Sequence, residues 1–153
     1  MHRQMNIDDT LAAIAKVVGL APAARPADLA SAERRLGCQL PAQLRAFYLR
    51  ANGTLDATPV ENGWTRLWSA AEWRNVSTLS LGSVYSSVSD AIVVADYSLE
   101  SWWYALGLDE AVYIVDGLRP ARPVAGSFLE FVALLLNDRK EIYPIVDGRL
   151  TIG

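Results

Sequence analysis

The chain has 153 residues, 52% apolar and 20% charged, with a net charge of −3 and a pI near 5.1. That length suits one domain spanning 1–153, which buries roughly 68–70% of its unfolded surface and needs no metal or disulfide to hold it. The charge balance excludes a basic footprint for nucleic acid, and a single cysteine, Cys38, excludes an internal disulfide framework.

The start, MHRQMNIDD, turns acidic where a signal peptide needs its apolar core. No apolar run approaches the roughly 18 residues of a membrane span. The expectation is a cytoplasmic protein. In IDDTLAAIAKVVG, Ile7, Leu11, Ile14 and Val18 fall at helical spacing. Asp8 and Asp9 sit in the first turn, where the helix dipole favours negative charge. Gly19 is the expected stop.

Pro26 opens a second helix, because its missing N–H would be unpaired there anyway. Leu29, Ala32 and Leu36 share its inner side. Gly37 and Pro41 then interrupt an otherwise helical stretch, Glu33 to Gly53. Interior Gly costs about 1 kcal/mol and Pro about 3, so one continuous helix is excluded. Gly37 reads as a left-handed stop and Pro41 as the start of a third helix, with Leu36 and Leu40 turned inward at the corner. Leu44, Phe47, Tyr48 and Ala51 form that helix's core face, ended by Asn52-Gly53.

After a loop, WTRLW is a short strand candidate, and Ser69-Ala70-Ala71-Glu72 is a capping box opening a short helix to about Asn75. The Ser- and Gly-rich stretch 77–90 reads as loop, with LSLGSVYSSVS (79–89) a candidate for a weak strand within it. Strands are expected at 91–96, 101–106 and 111–116, antiparallel because their connections are short. Ser127-Phe128-Leu129-Glu130 is a second capping box, and its helix carries Phe128, Phe131, Val132 and Leu135 on one face. Asp147-Gly148 signals a closing hairpin.

The residues offer little for catalysis. The lone histidine, His2, lies beside a terminus, where a histidine-dependent nucleophile would not be held rigidly. One His and one Cys leave a zinc site of the usual kind short of ligands. No phosphate-cradling or dinucleotide glycine pattern appears. Asp90, Asp96, Glu100, Asp109, Glu110 and Asp116 gather around the strand ends, where wet turns attract acidic residues anyway.

The tryptophans are more informative. Adjacent Trp102 and Trp103 must face opposite sides of one strand. Trp102, Tyr104 and Leu106 share the core parity, while Trp103 and Ala105 face the other way. Either that second face is covered or Trp103 is partly exposed, and an exposed Trp among acidic loops has the make-up of a binding hot spot. A small-molecule binder or hydrolase built on Trp102, Trp103 and the 96–110 carboxylates would instead require a concave pocket there.

Three landmarks resemble the SUKH superfamily, named partly for the yeast cell-wall assembly regulator and containing many bacterial toxin-immunity proteins. The first is Glu33, Leu36-Gly37, Leu40-Pro41, Phe47-Tyr48-Leu49 and Asn52-Gly53. The second is Ile92–Val94, Ala95-Asp96 and Tyr104-Ala105-Leu106. The third is Val124-Ala125, Ser127-Phe128 and Glu130-Phe131-Val132. The resemblance covers about residues 26–138. It implies an α+β domain, with a mostly antiparallel sheet of about 4–6 strands and with N-terminal helices and a C-terminal helix packed on it.

It also implies a non-enzymatic protein-binding module without cofactors. The protein partner would be a cognate toxin domain, often a nuclease, and neither nucleic acid nor membrane. The alternative is a regulatory or scaffold domain without a toxin partner. The chain is expected to be a monomer or weak homodimer. From their clustering, Asp96, Tyr97, Glu100, Trp103, Asp109 and Glu110 are the expected partner-binding residues, complementing a basic cleft.

Overall fold

The computed structural model describes residues 6–16, 19–54, 65–137, 142–146 and 149–150. Val18, His2, Trp64 and the Asp147-Gly148 turn lie outside the described residues.

Helix α1 runs Ile7–Ala15. Asn6 caps it by accepting the Asp9 N–H at 2.8 Å. The helix ends at Ala15, before the expected stop at Gly19. Helix α2, Pro26–Leu36, buries Leu29, Ala32 and Leu36 as the spacing predicts. Gly37 follows at φ +73°, the left-handed stop. Helix α3, Ala42–Tyr48, begins after Pro41 and buries Leu44, Phe47 and Tyr48. Ala51 is buried as expected, but in the loop beyond the helix end.

One carboxylate ties the corner between α2 and α3. Glu33 accepts the Leu40 N–H on Oε2 at 2.9 Å and the Arg45 guanidinium on Oε1 at 2.8 Å. The Leu40 N–H bond, with help from Arg45, holds the Glu33 carboxyl below its ordinary pKa against the opposing effect of desolvation. Leu36 and Leu40 are both buried there. Arg35 extends the tie by donating to the carbonyls of Ala70 and Trp73 at 2.8 and 3.0 Å.

The described residues form a six-stranded antiparallel sheet and a small separate two-stranded one. The sheet strands are β1 (Thr65–Leu67), β2 (Arg74–Asn75), β3 (Ile92–Tyr97), β4 (Trp102–Leu106), β5 (Val112–Val115) and β6 (Arg122–Ala125). The order is β1-β3-β4-β5-β6, with β2 pairing the earlier part of β3. Strands β1 and β2 share one edge of β3, and Trp68 N–H bridges the gap to Val94 O at 2.7 Å. The three expected strands appear within a residue or two of their predicted bounds. Between β1 and β2 the capping box at Ser69 forms, but it opens one 3-10 turn, Ala70–Glu72, and the chain then pairs with β3 instead of continuing as helix to Asn75. Further 3-10 turns occupy Val76–Leu79 and Ser83–Val88.

Helix α4, Phe128–Leu136, buries Phe128, Phe131, Val132 and Leu135 as its pattern predicts. Ser127 Oγ accepts the Glu130 N–H at 3.1 Å. The reciprocal bond is displaced by one residue, from Gly126 N–H to Glu130 Oε2 at 3.0 Å. Gln43 of α3 supplies another acceptor to the Leu129 N–H at 2.9 Å, so α3 caps α4 across the core.

Aromatic contacts join these layers. Phe47 meets Phe128 edge-on at 5.1 Å, Tyr48 meets Trp73 at 4.5 Å, and Tyr104 of β4 meets Phe131 at 4.8 Å. Trp102, Tyr104 and Leu106 are core, as their parity predicts. The opposite face is also buried at Val93, Ala105 and Val115, leaving Trp103 half-buried. Strands β7 (Ile145–Val146) and β8 (Arg149–Leu150) close the described chain.

Candidate functional site

Strand β4 decides which candidate residues meet. Its start adjoins the β3–β4 turn, Ser98–Ser101, and its end adjoins the β4–β5 turn at 107–111. Five residues at about 3.4 Å each put those turns roughly 17 Å apart. The expected acidic cluster is therefore divided. Asp96, Tyr97, Glu100 and Trp103 lie at one end, and Asp109 and Glu110 lie at the other.

Asp96 also requires correction from a surface carboxylate to a buried one, at 4% exposure. Its Oδ1 accepts the Trp68 indole N–H at 2.5 Å and lies 3.6 Å from the Arg66 guanidinium. Its Oδ2 accepts the Glu100 N–H at 2.8 Å. Burial of an ionisable side chain is tolerable when its oxygens are satisfied in this way. Asp96 thus holds the turn above it and does not face outward.

That turn is unusual in its backbone. Ser98, Leu99 and Glu100 have φ of +38°, +56° and +61°, a left-handed run without a glycine. Ser101 steadies it, donating its N–H to Tyr97 O at 2.9 Å and its hydroxyl to Ser98 O at 2.7 Å. Leu99 is left 98% exposed. Glu100 is exposed, and its Oε1 accepts the Trp103 indole N–H at 3.0 Å. Tyr97 is half-buried and stacks on Trp102 with ring centroids 4.2 Å apart and planes 2° apart.

In the β4–β5 turn, the Asp109 carboxylate is engaged within its own hairpin. It accepts the Tyr113 hydroxyl at 2.6 Å and the Ala111 N–H at 3.2 Å. The Tyr113 bond leads in holding its pKa below the ordinary value. Glu110 is exposed at φ +69°.

Sequence reasoning missed a second turn at the Glu100 end. Antiparallel pairing places Trp103 opposite Val115, so the β5–β6 connection, Asp116–Ala121, emerges beside the β3–β4 turn. Asp116 Oδ1 accepts the N–H groups of Leu118 and Arg119, both at 2.9 Å, and Oδ2 accepts Arg119 Nε at 2.8 Å. Burial alone would raise the Asp116 pKa, but these donors and the guanidinium outweigh it and lower the pKa. Tyr85 Oη donates to Asp116 Oδ1 at 3.3 Å and accepts the Gly117 N–H at 2.7 Å, bracing the turn from below. Leu118 is left 82% exposed. The available signal for both leucines was an apolar residue inside a polar turn, in Ser98-Leu99-Glu100-Ser101 and Asp116-Gly117-Leu118-Arg119.

A cleft of about 280 Å³, lined by Val76, Leu81, Tyr85 and several serines, adjoins the β5–β6 turn through Tyr85; Trp102 and Trp103 are not in its lining. Cys38 is half-buried, and burial pushes its thiol pKa up, which disfavours the thiolate. Among the described residues no group of three or more His, Cys, Asp or Glu is placed to hold a metal ion, and no helix is long and apolar enough to cross a membrane.

The family model of SMI1 / KNR4 (SUKH-1) matches residues 23–134. No curated protein matches the chain. The matched span contains the Glu33-pinned corner, the whole six-stranded sheet and most of α4, including all three landmarks. That membership supports a toxin-immunity or related protein-interaction module. With nearly three quarters of its length inside the match, this chain belongs to the SMI1 / KNR4 family (SUKH-1), within the SUKH superfamily.

Proposed function

We propose that this chain is an immunity protein that binds a cognate toxin domain in the cytoplasm and neutralises it by occlusion. The family match over residues 23–134 carries the reading. The mechanism is steric: a rigid α+β scaffold covers the toxin's working surface across an interface of roughly 1,200–2,000 Å². No bond is made or broken and no cofactor takes part. A toxin acting on nucleic acid is one target class, and the chain's net charge of −3 disfavours its binding nucleic acid itself. The protein acts as a monomer or weak homodimer.

Growth is the direct test. The polypeptide encoded beside this chain should arrest growth when made alone, and co-expression of this chain should restore it. Arrest that persists with both proteins folded and abundant overturns the reading. Tight binding to a harmless polypeptide would instead favour a regulatory or scaffold domain.

A further inference from the structure

Leu99 and Leu118 are the most exposed large apolar side chains among the described residues, at 98% and 82%. Topology puts them at one end of the sheet. The β3–β4 and β5–β6 turns are two strand spacings apart, about 10 Å. Half-buried Trp103 and its partner Val115 lie on the strands between them.

The two turns share a device. In each, an aspartate at or just past the strand end accepts backbone N–H groups from the turn: Asp96 that of Glu100, and Asp116 those of Leu118 and Arg119. The first turn keeps three successive non-glycine residues in the left-handed region, which L side chains enter only at a cost. Glycine would relieve that cost, yet a leucine stands at the tip. Strain of this kind persists where the surrounding structure over-determines it, and it gathers at binding sites. Rigid presentation of an apolar group reduces the ordering entropy that binding must overcome.

Charge narrows the partner. Asp96 is sunk beneath the surface and Asp116 is matched by Arg119. Glu100 remains as an exposed carboxylate and already holds Trp103. Among the described residues the two turns are thus a nearly neutral pair of apolar tips and not the acidic patch expected from the sequence. Apolar burial, with little help from long-range charge, would drive binding here.

We propose that this sheet end is the protein-docking surface, with Leu99 and Leu118 as paired anchors for a different protein that offers two apolar sockets about 10 Å apart. The proposal rests on the reading of the chain as a protein-binding module. Two protruding tips call for a concave complement, which points away from a two-fold pairing with a second copy, where one patch must fit itself.

The test places the photo-crosslinking residue p-benzoylphenylalanine at position 99, 118 or 108 of the full chain, in cells that make it. Leu108, 59% exposed in the opposite turn, is the control. The expected result is one and the same foreign polypeptide joined from 99 and 118, and none from 108. That polypeptide, purified, should bind Leu99→Gly about tenfold more weakly and the Leu99→Gly/Leu118→Ser double variant more than about thirtyfold more weakly. The urea midpoint of Leu99→Gly should not fall, because glycine relieves the left-handed backbone. Affinity should change less than about threefold between roughly 50 and 500 mM salt.

No adduct from either tip, adducts only with a second copy, crosslinking from 108 instead, or full affinity in the double variant would each overturn the docking surface. Steep salt dependence would overturn its apolar character. A captured polypeptide that is harmless when made alone would remove the toxin reading and leave the surface standing. A genuine toxin bound through other residues would do the reverse.

Discussion

Replacing Asp96 with alanine should destabilise the protein by about 2–4 kcal/mol at neutral pH. The figure follows from what its carboxylate holds. The Trp68 indole N–H, 2.5 Å from Oδ1, is buried and would lose its acceptor. A buried donor left unmet costs about 1–3 kcal/mol. The Glu100 N–H, 2.8 Å from Oδ2, lies nearer the surface, where water replaces part of the bond, so its loss sits near the lower end of that range. The Arg66 pair, at 3.6 Å with a partly exposed guanidinium, adds less than about 1 kcal/mol. Asp96→Asn keeps one carbonyl acceptor and must turn its NH₂ toward one of the two donors, so it should cost about 1–2 kcal/mol. Urea unfolding followed by tryptophan fluorescence, with linear extrapolation, measures both. A cost below about 1 kcal/mol for Asp96→Ala would refute the buttress. So would an asparagine variant no better than alanine.

Three further outcomes follow from the same geometry. Gly53 has φ +87°, and a Cβ there would lie 2.6 and 2.7 Å from the carbonyl oxygens of Leu67 and Trp68. Gly53→Ala should therefore cost more than about 2 kcal/mol, whereas Gly37→Ala, at φ +73° with nothing within 4 Å, should cost only about 1 kcal/mol; equal costs by urea unfolding would contradict the close approach. Leu36→Ala or Leu40→Ala should each cost about 2–5 kcal/mol, and a loss below about 1 kcal/mol would show that the corner is not packed as described. The Glu33 carboxyl is held below its ordinary pKa, so its stabilisation is present above the unfolded value, about 4.3, and is lost as pH falls through the folded one. Glu33→Gln should be less stable than the parent at pH 7, with the gap closing as pH falls from the unfolded value through the lowered folded one; a gap independent of pH in urea titrations would deny the charge a role.

Much of the scaffold was legible because local chemistry and packing agree there. Gly37 and Pro41 mark a stop and a start that the structure repeats, and the strands at 92, 102 and 112 announce themselves by apolar runs between turn residues. Strand β6 was hidden because Pro120, Pro123 and two arginines imitate a loop. The sheet tolerates Pro123 because β6 lies at an edge, where a missing N–H spoils no inner ladder. The 70–75 segment read as helix because a capping box reports only its first turn, and pairing of Arg74 and Asn75 with β3 then outweighed helix extension.

The candidate site was less legible for a topological reason. Successive hairpins emerge at alternate ends of a sheet, so carboxylates adjacent in sequence are separated in space while turns twenty residues apart become neighbours. That is why Glu100 parts from Asp109 and joins the Leu118 turn. Asp96 was misjudged because the group that buries it, Trp68, lies 28 positions away and leaves no local trace.

Amide hydrogen exchange on the complex with the captured partner tests the central claim most directly. The account predicts that binding slows exchange at 98–101 and at 117–119, and leaves Asp109, Glu110 and Ala111 unchanged. Protection confined to 109–111, or absent from both leucine turns in a saturated complex, would contradict it.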